Sequence, residues 1–244
     1  MPGIASYVFS IRPASERALI IYLDSVFDSA ADKQNPVRNL DPNTPGYLAA
    51  LIDKIRQSCC NLKLSLIPSY ASLLVEYDPF AISYIALRRR LTHILQEPIA
   101  QEAVAGRLVR LPVYYHPEVG PDLARVAEFA KCQIEEVISR HAPIVYSVYA
   151  IGFAPGFAYL GEVDATIAAP RLASPRQQVP AGSVAIAQRQ TAVYPNASPG
   201  GWNLIGRCPT PLFDLGAKSP MRVGDRVQFQ PIDRQAFIEL GGEL

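Results

Sequence analysis

The chain has 244 residues, 49% hydrophobic and 18% charged, a balance that supports a folded core and excludes a disordered tail or a coiled coil. A formal net charge of +1 argues against a dedicated nucleic-acid binder, which draws phosphate affinity from a strongly basic surface. That length holds one large domain or two small ones.

The N-terminus, Met1 to Ser6, lacks a basic start followed by an apolar run, so it does not read as a secretory signal and the expected location is the cytoplasm. Arg17 to Asp24 contains an apolar run short enough to be a buried strand. Thr44 stands in N-cap position before Pro45, and Tyr47, Leu48, Leu51, Ile52 and Ile55 recur at helical spacing on one face. Leu62–Ile67 and Ser72–Tyr77 flank Pro68-Ser69-Tyr70-Ala71 as paired strands, and Tyr84, Leu87, Leu91 and Ile94 mark a second helix that ends near Pro98. Arg88-Arg89-Arg90 lies within that helix and reads as a solvated face. The predicted order of the first part is strand, helix, strand, strand, helix.

Ile99–Gly106 reads as a boundary, dividing a first domain, residues 1–103, from a second, residues 107–244. Only Gly3, Gly46, Gly106 and Gly120 precede residue 150, and the other eleven of fifteen glycines fall between Gly152 and Gly242. The second part opens with a strand near Leu108–Val113 and two short helices, Asp122–Lys131 and Glu135–His141. Ala142 to Gly161 runs uncharged over twenty residues, the length of a membrane helix, but Pro143, Gly152, Pro155 and Gly156 interrupt it, which predicts strand and loop in water. Short apolar runs between proline and glycine turns then predict an antiparallel barrel, so the class is α+β.

The cysteines at 59, 60, 132 and 208 have neither CxxC spacing nor a nearby histidine pattern, which predicts free thiols and no metal site. His93, His116 and His141 lie far apart, and GxxxxGK[ST], GxGxxG, GxSxG and HExxH are all missing from the sequence. The informative stretch is His141 to Arg207. Its acids are Glu162 and Asp164, against Arg171, Arg176, Arg189 and Arg207. Gly152-Phe153-Ala154-Pro155-Gly156-Phe157-Ala158-Tyr159-Leu160-Gly161 alternates aromatics with small or rigid residues, as a ligand-facing loop or as a tightly turned barrel corner. Pro170-Arg171 and Pro175-Arg176 each place a guanidinium after a stiff residue, suited to a carboxylate or phosphate or to a structural ion pair. Tyr194 to Asn203 follows as a long uncharged loop with the chain's single tryptophan, Trp202.

Three segments, GFAPGFAYLGEVD (Gly152–Asp164), Pro170–Ala187 and QTAVYPNASPGGWNLIGR (Gln190–Arg207), resemble the KipI family, which includes the B subunit of the bacterial ATP-dependent 5-oxoprolinase. The resemblance is strong over residues 107–244 and weak before them. It implies an N-terminal ferredoxin-like α/β domain followed by a C-terminal cyclophilin-like antiparallel β-barrel. It also implies work with subunits C and A to open 5-oxoproline at the expense of ATP, with Mg²⁺ as a candidate companion of the nucleotide, and little activity alone. No nucleic acid or membrane is implied as a partner. Arg176, Arg171, Gln190 and Arg207 are the expected catalytic residues. Phe153, Pro155, Gly156, Ser198, Gly200, Gly201 and Trp202 are the expected substrate- or nucleotide-binding residues. A second reading within the family is a protein inhibitor of a sensor histidine kinase. The sequence departs from the family pattern at Ala154, where serine or threonine is usual, and at Ala187-Gln188-Arg189, which replaces a glycine-containing turn.

Overall fold

A two-residue turn at Glu16–Arg17 closes the first hairpin, β1 (Tyr7–Ser15) with β2 (Ala18–Ser25), where Ser15 pairs with Ala18. A computed structural model of the chain describes residues 7–25, 42–99, 106–213 and 221–244. The chain divides into two units, residues 1–106 and 107–244. Most of the expected junction, residues 100–105, lies outside the described residues.

In the first unit β1 and β2 are followed by α1 (Thr44–Ser58), β3 (Ser65–Ser69), β4 (Ser72–Glu76) and α2 (Tyr84–Gln96). The strands run antiparallel in the order β1-β2-β4-β3. Leu19, Ile21, Leu23, Leu73 and Val75 alternate onto one face and meet Leu48, Leu51, Ile55, Leu87 and Leu91 from the helices in one buried cluster. Three expectations are corrected here. Strand β1 has no counterpart in the predicted order, so the described order is ββαββα, where a ferredoxin-like unit runs βαββαβ. Thr44 is the first helical residue and not the cap: Asn43 occupies that position, and the buried Thr44 hydroxyl lies 3.2 Å from the Tyr7 hydroxyl. Pro68 lies inside β3, because the connection is the two-residue turn Tyr70-Ala71, with Tyr70 at φ 52°.

The second unit comprises β5 (Leu108–Tyr114), α3 (Leu123–Ala130), α4 (Ile134–His141), β6 (Val145–Ile151), β7 (Ala158–Gly161), a 3-10 turn at Ala165–Ile167, β8 (Arg176–Val179), β9 (Ser183–Ala187), β10 (Gln190–Val193), β11 (Ser198–Gly200), β12 (Asn203–Arg207), β13 (Arg226–Ile232) and α5 (Arg234–Glu239). Strands β6-β13-β5-β12-β9-β10-β7 follow one another, and β7 pairs back onto β6, so seven strands close a barrel. The barrel is mixed and not antiparallel throughout: β5 and β13 run parallel over their whole length, Leu108 beside Arg226 and Tyr114 beside Ile232. Strand β11 also falls inside the stretch expected as an uninterrupted loop, and it pairs with β8 in a separate two-stranded sheet. The uncharged run 142–161 is strand and loop as expected, and no helix among the described residues is long and apolar enough to cross a membrane.

Strand β9 explains how the site is positioned. All five of its residues are buried, so polarity does not alternate, but size does. Val184 and Ile186 join the barrel interior with Val113, Tyr146, Leu160, Ile205 and Phe229. Ala185 and Ala187 point the other way, with Ala192 and Leu204, into a second apolar cluster of Phe157, Tyr194, Trp202 and Val179. Small side chains on that outer face leave room for large rings to lie against the barrel wall.

Candidate functional site

The outer cluster is aromatic and continuous. Phe157 meets Tyr159, Tyr194 and Trp202 edge-on at centroid distances of 4.9, 5.3 and 5.7 Å, and Tyr159 meets Trp202 at 6.0 Å. Such edge-to-face contacts add to area burial and fix ring orientation. Phe153 caps the group: it meets Phe157 at 5.2 Å and Tyr194 at 6.3 Å, yet it is 62% exposed and held at φ 71°. A bulky residue in the left-handed region costs energy and marks a conformation that the surroundings impose. A side chain at Gly200 would overlap the Tyr194 hydroxyl, so glycine there is what lets the phenol seat. Burial raises the pKa of Tyr194 and of Tyr159, so both stay neutral hydroxyls.

Two arginines approach this cluster in different ways. The Arg171 guanidinium lies 5.7 Å from the centre of the Trp202 ring, a cation–π contact, and no carboxylate is paired with it among the described residues. Arg176 is committed: its Nη2 donates to Asp122 Oδ1 at 2.8 Å, and Asp122 is nearly enclosed. Asp122 immediately precedes α3 but does not cap it. Its Oδ2 accepts from the Leu204 backbone N–H at 2.8 Å, and the Asp122 N–H donates to Leu204 O, so the carboxylate fastens the helix start and Arg176 to β12. Arg176 Nη1 and, on the neighbouring strand, Ser198 Oγ are enclosed with no hydrogen-bond partner.

Of the expected residues, Arg171, Phe153 and Trp202 share this cluster, while Arg176, Ser198, Gly200 and Gly201 come from the β8–β11 sheet and the segment leading to Trp202. Gly201 O accepts from Leu172 N, and Gly201 faces Pro175. Pro155 is exposed, and Gly156 is buried at φ 85° against the Leu212 carbonyl, which gives it a structural reason. Gln190 opens β10 opposite Ala187 and Gly161. Arg207 closes the far end of β12, where its Nε donates to Ala181 O at 2.9 Å, about 16 Å along the strand from Trp202 at ~3.3 Å per residue. The sequence reasoning missed Asp122, Tyr159 and Tyr194. Asp122 carried a signal as the acid at a helix start, and Tyr159 and Tyr194 lay in the aromatic-small run and the tryptophan loop without being picked out.

A second polar cluster lies inside the barrel. His141 is fully buried, stacked on Phe229 at 4.9 Å, with Nδ1 2.9 Å from the Tyr115 hydroxyl and Nε2 2.9 Å from Thr191 Oγ1. Thr191 donates to Ala185 O, so it accepts from Nε2–H, and Tyr115 donates to Nδ1. Burial pushes the His141 pKa down to about 3.

The carboxyltransferase domain family, subdomain C and D, matches residues 9–223. The chain belongs to this family. Among its relatives is the 5-oxoprolinase B subunit of Bacillus subtilis, 42% identical over 183 residues, which cover 70% of this chain and 76% of the relative. The crystal structure of TTHA0988 superimposes with a TM-score of 0.70 at 35% identity, covering 80% of this chain, although this chain spans only 38% of that one. PH0987 from Pyrococcus horikoshii, described as a conserved uncharacterized protein, matches at 37% identity and a TM-score of 0.53 over 93% of this chain and all of its own. The family match runs through both units and ends beyond Trp202, so the aromatic face and both arginines fall within it.

Proposed function

We propose that this chain is the B subunit of an ATP-dependent 5-oxoprolinase, working in the cytoplasm with subunits A and C. The observation that carries this reading is the 42% identity to a curated 5-oxoprolinase B subunit over 70% of the chain. Ring opening needs activation because a lactam carbonyl is a poor electrophile. Transfer of the γ-phosphoryl group of ATP to the lactam oxygen releases ADP. Water then adds to the activated carbon, the C–N bond breaks as the nitrogen takes a proton, and a second water hydrolyses the acyl phosphate to glutamate and phosphate. Developing negative charge calls for preorganised donors.

Arg171, over the Trp202 ring, is the donor this reading favours, with Ser198, Gly200 and Gly201 as further candidates beside it and Arg176 held by Asp122. Gln190, which pairs with Ala187 of the outer cluster, and Arg207, at the far end of β12, are secondary candidates. In this reading Mg²⁺ accompanies the nucleotide, bridging its phosphates. The test is 5-oxoproline-dependent ADP release by the chain alone and by the chain combined with subunits A and C. Turnover should need the partners; full turnover by the chain alone, or none by the reconstituted set, overturns the reading.

A further inference from the structure

The outer aromatic face combines features that a merely structural cluster does not require. Phe153 is exposed and conformationally strained although its neighbours Phe157 and Tyr194 are buried. Arg171 is exposed, oriented by the Trp202 ring, and without a carboxylate partner among the described residues. A guanidinium that uses its flat face on an indole keeps N–H donors free at its edge.

We propose that this face binds a small planar monocarboxylate, with the Arg171 fork on the carboxylate and the ring or short apolar body of the ligand lying along Phe153 and Tyr159. Charge selects the class. Arg176 is offset by Asp122 at 2.8 Å, Arg189 is paired with Glu162, and Arg125 is held through Nε by Asn203 Oδ1 at 3.0 Å, which leaves Arg171, over the Trp202 ring, as the guanidinium without a polar side-chain partner on this face among the described residues. A single guanidinium presented at the ring surface matches a carboxylate; a polyphosphate would call for several cations converging on one point. The aromatic floor supplies contact to a body that free phosphate lacks. Arg176 is a positioning residue here: through Asp122 it fixes α3 against Leu204, two residues from Trp202.

This inference deepens the proposed function and rests on it for the choice of 5-oxoproline as probe. Trp202 is the chain's only tryptophan and lies under Arg171, so its emission reports on the site without a label. The isolated full chain is titrated with 5-oxoproline, with 2-pyrrolidone, which has the same lactam ring without the carboxylate, and with inorganic phosphate. Expected is a saturable change with 5-oxoproline alone, and a half-saturation concentration at least ten-fold higher in Arg171→Gln and several-fold higher in Arg171→Lys. Thermal unfolding of each variant establishes that it is folded. The proposal is overturned by no saturable change, by an equal response to pyrrolidone or phosphate, by an unchanged response in Arg171→Gln, or by emission that responds only to partner subunits.

Failure of the two readings can be told apart. Turnover by the reconstituted set with an unresponsive Trp202 removes this site and leaves the proposed function. A response to 5-oxoproline that depends on Arg171, in a chain that supports no turnover with its partners, does the reverse.

Discussion

His141 Nε2 and Thr191 Oγ1 lie 2.9 Å apart inside the barrel, in a chain of bonds running from the Tyr115 hydroxyl through the imidazole to the Ala185 carbonyl. Every bond in that chain uses the neutral ring. Protonating Nδ1 would reverse the Tyr115 bond and leave the phenol hydrogen without that acceptor, around a buried charge without a carboxylate neighbour among its described contacts.

Stability should therefore fall in acid. The folded-state pKa of His141, about 3, lies below its ordinary value of 6.5, so below pH 6.5 the unfolded chain binds a proton that the folded chain refuses. This contribution is intact above pH 6.5 and is lost progressively as the pH falls toward 3, at up to about 1.4 kcal/mol per pH unit. Urea midpoints measured between pH 7.5 and 4.5 should drop, and the slope should flatten in His141→Gln, which is less stable at pH 7.5. An equally steep slope in that variant would assign the acid sensitivity to other groups.

Arg176 should contribute to stability as well as to function. Removing it leaves Asp122 Oδ1 enclosed without its partner, a loss of about 1–3 kcal/mol for the partly exposed pair, and Arg176→Lys should recover only part because lysine lacks the planar fork. A double-mutant cycle with Asp122→Asn, followed by thermal unfolding, measures the coupling. Strictly additive losses would mean that the pair is not coupled in solution.

Gln188 holds φ 54° in the two-residue loop between β9 and β10, where Ala187 pairs with Gln190. Glycine tolerates that conformation without a Cβ penalty but costs more chain entropy on folding. Gln188→Gly should raise stability by about 0.5–1 kcal/mol, seen as a higher denaturant midpoint with an unchanged slope. A lower midpoint would show that the glutamine side chain contributes more than its backbone costs.

The barrel should fold without the first unit. Its seven strands close among themselves, and its interior cluster is drawn wholly from residues beyond 107. A fragment of residues 107–244 is expected to show one cooperative thermal transition and dispersed amide resonances. A molten or aggregating fragment would count against this.

Local pattern made some elements legible and hid others for identifiable reasons. The spacing of Leu48, Leu51, Ile52 and Ile55 announced α1 because one buried face imposes a 3.6-residue period. Strand β1 escaped although Tyr7, Phe9 and Ile11 alternate onto the core, because Val8 blurs the pattern and Arg12–Ser15 is exposed. In β9 both faces are buried, so only the Val-Ala-Ile-Ala alternation in size records its two-sided packing. The parallel pairing of β5 with β13 joins residues more than a hundred positions apart, which no local periodicity encodes. For the candidate site, the proline-arginine pairs and the tryptophan loop marked two segments that the fold brings together, with Arg171 over Trp202. The partner of Arg176 did not follow from them, since Asp122 lies 54 residues upstream on another element.

Synthesis order gives the β5–β13 pairing a further consequence. Strand β13 sits between β5 and β6, and in chain order it is the last of the seven barrel strands to be made. Until residues 226–232 emerge, β5 and β6 each carry an unsatisfied ladder, and the nascent wall is an open sheet with two sticky margins. At about 5–20 residues per second, the interval between making β6 and making β13 is several seconds. Premature termination inside that window would release a chain with nearly every interior side chain present and no means of sealing them, a species for chaperones or proteases to remove.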